Sequence, residues 1–445
     1  MSNEDFCFCL NLENQVLGIT PDRLMQMPRY ILLICFMLLF RVNTVVSQII
    51  GLDILGSDQQ LEIPFEFQHD YIILKVKVDD KITLRFMFDT GAEHIILFEK
   101  YIGDLLGFEY DDKIKILGSD LTQEVGALIS RNVSIKLKNT DPVIRDVLVL
   151  ERNYLKLEEL TGIDLDGILG AGCFKNLVVR IDYKKKKLIL YHPDSFVQQD
   201  TEAQEISLSI EQQKPYFSSK VVNQDNDTLM LKLLLDTGAA LAFLLNTDSH
   251  ENLQLPSKVI KGNLGLGIGG FIEGYLGKIP EFNMGDFRFS NILTNFQLID
   301  SSMLEIVEFR RNGLVGNTLL SRFEVTIDYM RKKLYLKPRK NFDKAFEYDK
   351  SGLFLLAYGE NLDQFIVNYV VEGSPAQDAG ILKGDIIKKV GCWSSKYYDL
   401  HKLTRKLSAK EGKTIRLKLL RGDESYKTKF KLRDMLNQAE NSIKL

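Results

Sequence analysis

Two short strings carry the chemistry of this 445-residue chain. Asp89-Thr90-Gly91-Ala92 returns 147 positions later as Asp236-Thr237-Gly238-Ala239. A lone Asp-Thr-Gly is ordinary turn chemistry. A repeated one is different, because a pseudo-twofold arrangement brings equivalent loops together at its axis. Two carboxyls about 3 Å apart cannot both ionise, so they share a proton. The ionised member can then take a proton from a water while the protonated member donates to a carbonyl oxygen. That is general acid–base hydrolysis of an amide, and it calls for no covalent intermediate, cofactor or metal.

The elements that must position these strings repeat with them. Asp166-Gly167-Ile168-Leu169-Gly170 returns as Asn312-Gly313-Leu314-Val315-Gly316, 146 positions on. Arg180-Ile181-Asp182-Tyr183, with a basic turn and Leu188-Ile189-Leu190, returns as Thr326-Ile327-Asp328-Tyr329 with Leu334-Tyr335-Leu336. Three features in one order at one offset define two copies of a fold unit, over 60–197 and 205–340. Each copy reads as β. Ile72, Leu74, Val76 and Val78 alternate with mostly polar neighbours, Asp79-Asp80 marks a turn, and Ile82, Leu84, Phe86 and Phe88 resume the alternation. Asp89 and Asp236 therefore end apolar strands. The Gly of each Thr-Gly pair is expected to supply a backbone angle that other residues resist.

Composition narrows the class. Apolar residues are 45% and charged residues 26%, ordinary for a globular protein, so disorder along most of the chain is not expected. Lys plus Arg is 57 against 60 Asp plus Glu, a net charge of −3 that gives no pull toward nucleic acid. Five Cys rule out a disulfide-built scaffold, and Cys173 and Cys392 read as free thiols. None of the five His forms a His-x-x-x-His pair, so a zinc protease is not expected.

Residues 1–47 read as an N-terminal extension and signal peptide. Arg29 precedes the apolar run 30–40, and Val45-Val46-Ser47 offers a cleavage site before Gln48. The polar stretch ahead of Met25 would be odd in front of a signal, so Met25 or Met27 is the expected start. An uncleaved signal anchor is the other reading of this segment. The chain is thus expected to be exported: periplasmic, secreted or membrane-anchored.

Phe-Asp-Thr-Gly-Ala followed some eighty residues later by Ile-Leu-Gly resembles the retropepsin-like and pepsin-like aspartic proteases. The resemblance implies two pseudo-symmetric β-barrel lobes with Asp89 and Asp236 as the catalytic pair. It makes Thr90, Gly91, Thr237 and Gly238 the support of the active-site loops, with the threonines cross-bonding between lobes. Ile168-Leu169-Gly170 and Leu314-Val315-Gly316 would brace those loops. Both halves lie in one chain, so a monomer is expected to be complete. The family covers its substrate with Gly-rich hairpin flaps. Gly118-Ser119 and Gly269-Gly270 are the candidates, although no flap tyrosine of the pepsin kind is identifiable. Ala92 and Ala239 cannot donate a side-chain hydrogen bond to the carboxylates, so activity is expected at mildly acidic to near-neutral pH.

Residues 351–435 differ. Gly373-Ser374-Pro375-Ala376, four residues, then Ile381-Leu382-Lys383-Gly384-Asp385-Ile386-Ile387 resembles a PDZ domain of the type fused to bacterial proteases. Gly352-Leu353-Phe354-Leu355 resembles its carboxylate-binding loop, which implies a peptide C-terminus as ligand. The whole chain is therefore expected to be mainly β, an aspartic endopeptidase with a peptide or protein substrate and a C-terminal PDZ module. The competing reading is a non-catalytic peptide binder that uses a degenerate protease cleft and the PDZ groove.

Overall fold

Period-two patterning decides the architecture. In the strand Tyr71–Val78 the residues Ile72, Leu74, Val76 and Val78 are all buried in one core. In Ile82–Asp89 the residues Leu84, Phe86 and Phe88 face the same core, and Met87 faces a smaller cluster on the opposite side. The strand is buried on both faces and delivers Asp89 at its end. A computed structural model describes residues 52–117, 124–153, 157–267, 270–299, 311–340 and 342–438.

The chain is mainly β. Strands between Glu66 and Gly170 form one eight-stranded sheet, and strands between Ser209 and Gly316 form another. Both sheets run through their strands in the same spatial order. In each, the strand that ends in Asp pairs in parallel with the Gly-rich strand of the second repeated motif. Asp89 stands opposite Gly170 and Asp236 opposite Gly316.

A six-stranded sheet joins the copies. Its central pair is Val178–Asp182 against Phe323–Asp328, antiparallel, with Arg180 opposite Thr326. Those two residues are 146 positions apart, the offset of the repeat itself, so the pseudo-twofold passes between a residue and its own counterpart. One hydrophobic core runs through both copies; Phe88, Phe174, Phe243 and Phe323 are among its fully buried side chains. At about 1.5–3 kcal/mol per buried large side chain, this core outweighs any single polar contact in the molecule.

Helices are few and short. We number them α1 (Lys100–Leu106), α2 (Leu157–Thr161), α3 (Asn317–Leu320), α4 (Pro375–Asp378), α5 (Leu400–Leu407) and α6 (Met435–Gln438). The C-terminal part has its own sheet and core. Leu353–Tyr358 is an edge strand of that sheet, and α5 buries Leu400, Leu403 and Leu407 against it. This part touches both copies. Helix α2 and His69 of the first copy meet its edge strand and α5. Tyr348, Met435 and Leu436 pack on Ile260, Leu276 and Leu293 of the second. Among the described residues no helix is long and apolar enough to cross a membrane.

Candidate active site

The two Asp-Thr-Gly turns meet at the pseudo-twofold. The Thr90 N–H donates to Thr237 Oγ1 at 3.0 Å, and the Thr237 N–H donates to Thr90 Oγ1 at 3.0 Å. Each hydroxyl then donates onward across the axis, Thr90 to the Leu235 carbonyl at 2.6 Å and Thr237 to the Phe88 carbonyl at 2.9 Å. Both threonines are fully buried, so all four bonds are shielded from water.

Each carboxylate is held by its own turn. The Gly91 N–H donates to Asp89 Oδ1 at 2.7 Å, and the Gly238 N–H donates to Asp236 Oδ1 at 2.9 Å. The Ala92 and Ala239 N–H groups also favour the charged form of each. The carboxyls also bond to each other. Burial pushes both above the ordinary carboxylate range, and the charge of Asp236 pushes Asp89 well above it. Asp236 is raised less, because the Arg311 guanidinium and the bond from Asp89 both favour its ionised form. The pair therefore titrates as a unit above the ordinary carboxylate range, with one proton held between its two members.

Gly91 and Gly238 serve a purpose other than the expected one. Neither has a positive φ. They are glycines because the opposite carboxylate leaves no room for a side chain. A Cβ on Gly91 would lie 2.7 Å from Asp236 Oδ2, and one on Gly238 would lie 2.5 Å from both oxygens of Asp89. Gly170 and Gly316 act similarly from below. A Cβ on Gly170 would lie 2.5 Å from the His94 carbonyl, and one on Gly316 would lie 2.6 Å from the Ala239 carbonyl. The chain after each brace bonds the loop above it, Ala171 N–H to the Ala92 carbonyl at 2.8 Å and Asn317 N–H to the Ala239 carbonyl at 2.7 Å.

With this geometry in place, two stretches of sequence match known families. Residues 74–172 match the model of an aspartyl protease, and residues 366–421 match the model of a PDZ domain. The chain carries an aspartyl protease domain and a PDZ domain. No curated protein matches it. The protease match covers part of the first copy; the likeness of the second copy rests on its identical strand order and its reciprocal turn.

Of the expected flap residues, Gly270 is described and lies in one of two hairpins. Strands Asp112–Leu117 and Glu124–Leu137 pair antiparallel, as do Ile260–Gly267 and Gly270–Met284. Gly270 pairs with Gly267 at the second tip. Gly118, Ser119 and Gly269 lie outside the described residues. Cys173 is buried and Cys392 exposed, and both are free. Among the described residues no group of three His, Cys, Asp or Glu is placed to hold a metal ion.

Several residues around the dyad carry no motif or spacing that marks them. His69 and Asp70 form a turn of the first copy with φ of 51° and 63°, and Asp70 accepts at its backbone from Asn317 and at its carboxylate from Thr318. Tyr71, next in the chain, lies close enough for both catalytic-position carboxylates to raise its phenol, after burial and Asp70. Asn317 also accepts from the buried Tyr183 hydroxyl. Ala171 stands where the first copy would need the matching Asn, and the Tyr329 hydroxyl is buried with no partner.

In the PDZ domain, Gly352 has φ 79° and opens the edge strand, while Leu353, Phe354 and Leu355 lie within it. The Gly352 N–H donates to Asp349 Oδ1 at 2.8 Å, and the Leu353 N–H donates to Ser351 Oγ at 3.1 Å. The first N–H of the loop expected to receive a peptide carboxylate is thus taken by a carboxylate of the chain itself.

Proposed function

We propose that the chain is an exported aspartic endopeptidase in which Asp89 and Asp236 activate a water, with a PDZ module that receives peptide C-termini. The observation that carries this is the reciprocal seating of two carboxyls, each bonded by the Gly two residues on and faced by the Gly of the other turn. Such a pair has one acid and one base at the same moment.

The residues divide the work by proton affinity. Asp236, with Arg311 near it, takes the proton of the attacking water. Asp89 gives its proton to the carbonyl oxygen of the scissile bond. In the tetrahedral diol that results, Asp236 passes the proton on to the leaving nitrogen, and Asp89 recovers its own as the carbonyl reforms. The two hairpins, at 112–137 and 260–284, are the elements that would cover an extended substrate. Export rests on the basic residue, apolar run and small residues of 29–47.

The test is cleavage of a peptide library by residues 48–445 across pH 3 to 8, beside Asp89→Asn and Asp236→Asn. Turnover that either substitution abolishes in folded protein supports the reading. Folded wild-type protein that cleaves nothing at any pH would move the function to peptide binding.

A further inference from the structure

The PDZ groove lies between the edge strand Leu353–Tyr358 and helix α5, and neither side of it stands clear of the protease domain. Helix α2 of the first lobe packs along that edge strand. Gly162, directly after α2, sits against the first residue of α5: a Cβ on it would lie 3.4 Å from Leu400 Cβ. One residue on, His401 stacks on His69 of the first lobe, with ring centroids 4.7 Å apart and planes 11° from parallel. The His69 ring is held in turn by the backbone of Thr161.

The start of the carboxylate loop is also in use. Asp349 Oδ1 accepts from the Ser351 N–H at 2.9 Å, the Ser351 hydroxyl at 2.7 Å and the Gly352 N–H at 2.8 Å. Consecutive N–H groups turned on one carboxylate oxygen are the means by which such a loop would hold a peptide terminus. The other oxygen of Asp349 is buried and has no partner. A buried carboxylate with one satisfied oxygen is a replaceable ligand, because an incoming carboxylate that fills the loop would release it to water.

We propose that the PDZ groove is closed from within: α2 of the protease domain lies along its edge strand and Asp349 holds the Gly352 N–H at the start of its carboxylate loop, so that a peptide binds by its free C-terminus only when it displaces both. This rests on the reading above that the PDZ module receives peptide C-termini. Binding is then a competition between a tethered occupant at high local concentration and a free one, and the measured affinity is lowered by the fraction of time the groove is closed.

The experiment locks the contact. Gly162→Cys and Leu400→Cys place two Cβ atoms near the separation of a disulfide. Cys392→Ser removes the thiol exposed among the described residues, Cys7, Cys9 and Cys35 are likewise made Ser, and Asp89→Asn keeps the probe from being cleaved. The probe is a pool of fluorescent decapeptides with randomised last three positions and a free C-terminal carboxylate, beside the same pool amidated. Binding is read by anisotropy on the full chain. The expected result is binding of the free-acid pool by the reduced form, at least tenfold weaker binding by the oxidised form, and none of the amidated pool by either. Gly162 has φ 66°, so the cysteine there carries some strain; His401→Ala, which removes the stack without that strain, should bind the free-acid pool several-fold tighter than the Asp89→Asn parent. Equal binding by oxidised and reduced forms, equal binding of acid and amide, or no binding by any form overturns the proposal. Hydrolysis of an unstructured protein is measured separately with Asp89 intact. Its absence tells against the dyad and leaves the binding result standing.

Discussion

Gly238 lies against the carboxyl of Asp89, a residue of the other lobe, so closely that a single added methyl would stand 2.5 Å from both of its oxygens. The mirror relation holds for Gly91 and Asp236, at 2.7 Å. Gly238→Ala is therefore expected to displace the opposite carboxyl and lower kcat at least about 100-fold, the scale on which small misplacements act. Val197→Ala is the control, since that side chain is exposed and lies in neither an Asp-Thr-Gly turn nor a hairpin. Equal activity in the two variants would remove the packing argument.

The raised proton affinity of the pair has two consequences for pH. Activity needs one shared proton, so the alkaline limb of the rate profile should lie above the ordinary carboxylate range and not near pH 3. A profile peaking below pH 3 contradicts this.

Stability should follow the same protons with the sign reversed from the usual carboxylate case. A carboxyl whose native pKa is raised binds more protons folded than unfolded, so ionising it opposes folding. Wild-type stability should fall as pH rises from about 4 through the raised value of Asp89. Asp89→Asn removes that term. It should be more stable than wild type at pH 7, with the difference gone near pH 3. Urea unfolding at both pH values decides, and a difference that persists at pH 3 has another cause.

Thr90→Val keeps shape but strands the Thr237 N–H and the Leu235 carbonyl in a fully buried site. A loss of roughly 2–5 kcal/mol is expected from two unmet groups. Thr90→Ser keeps both bonds and should cost about 1 kcal/mol for its lost methyl. Denaturant midpoints compare them, and a Val variant no worse than Ser would show that the cross-bonds are dispensable.

The two repeats should respond unequally to one substitution. Tyr183→Phe removes a buried bond to Asn317 and should cost about 1–2 kcal/mol. Tyr329→Phe removes a buried hydroxyl with no partner and should be neutral or stabilising. Thermal unfolding of the pair settles it; equal losses would mean that the Tyr329 hydroxyl does have a partner.

Much of this was legible in the chain because it repeats. Asp89 and Asp236 could be paired from spacing alone, and the alternation at Ile72 to Val78 gave the strands. The PDZ string around Gly384-Asp385 is similarly local. The purpose of Gly91 and Gly238 was not legible, since close approach across an axis leaves no mark that distinguishes it from a turn preference. Nor was the asymmetry of Asn317 and Ala171, which matters only once Tyr183 and Tyr329 are brought above them. The docking of α2 on the PDZ edge joins segments nearly two hundred residues apart with no shared pattern.

The PDZ domain rests on one lobe through His401 and on the other through Met435 and Leu436, at the base of the hairpin 260–284. A cleft whose two walls are braced by a common third body cannot widen while both braces hold. Threading a slender chain needs no such widening, whereas engulfing a folded protein does. Selection by girth would then be built into the scaffold, independent of any side-chain pocket. The ratio of rates on a ten-residue peptide and on the same sequence embedded in a folded host should fall toward unity when His401→Ala loosens one brace.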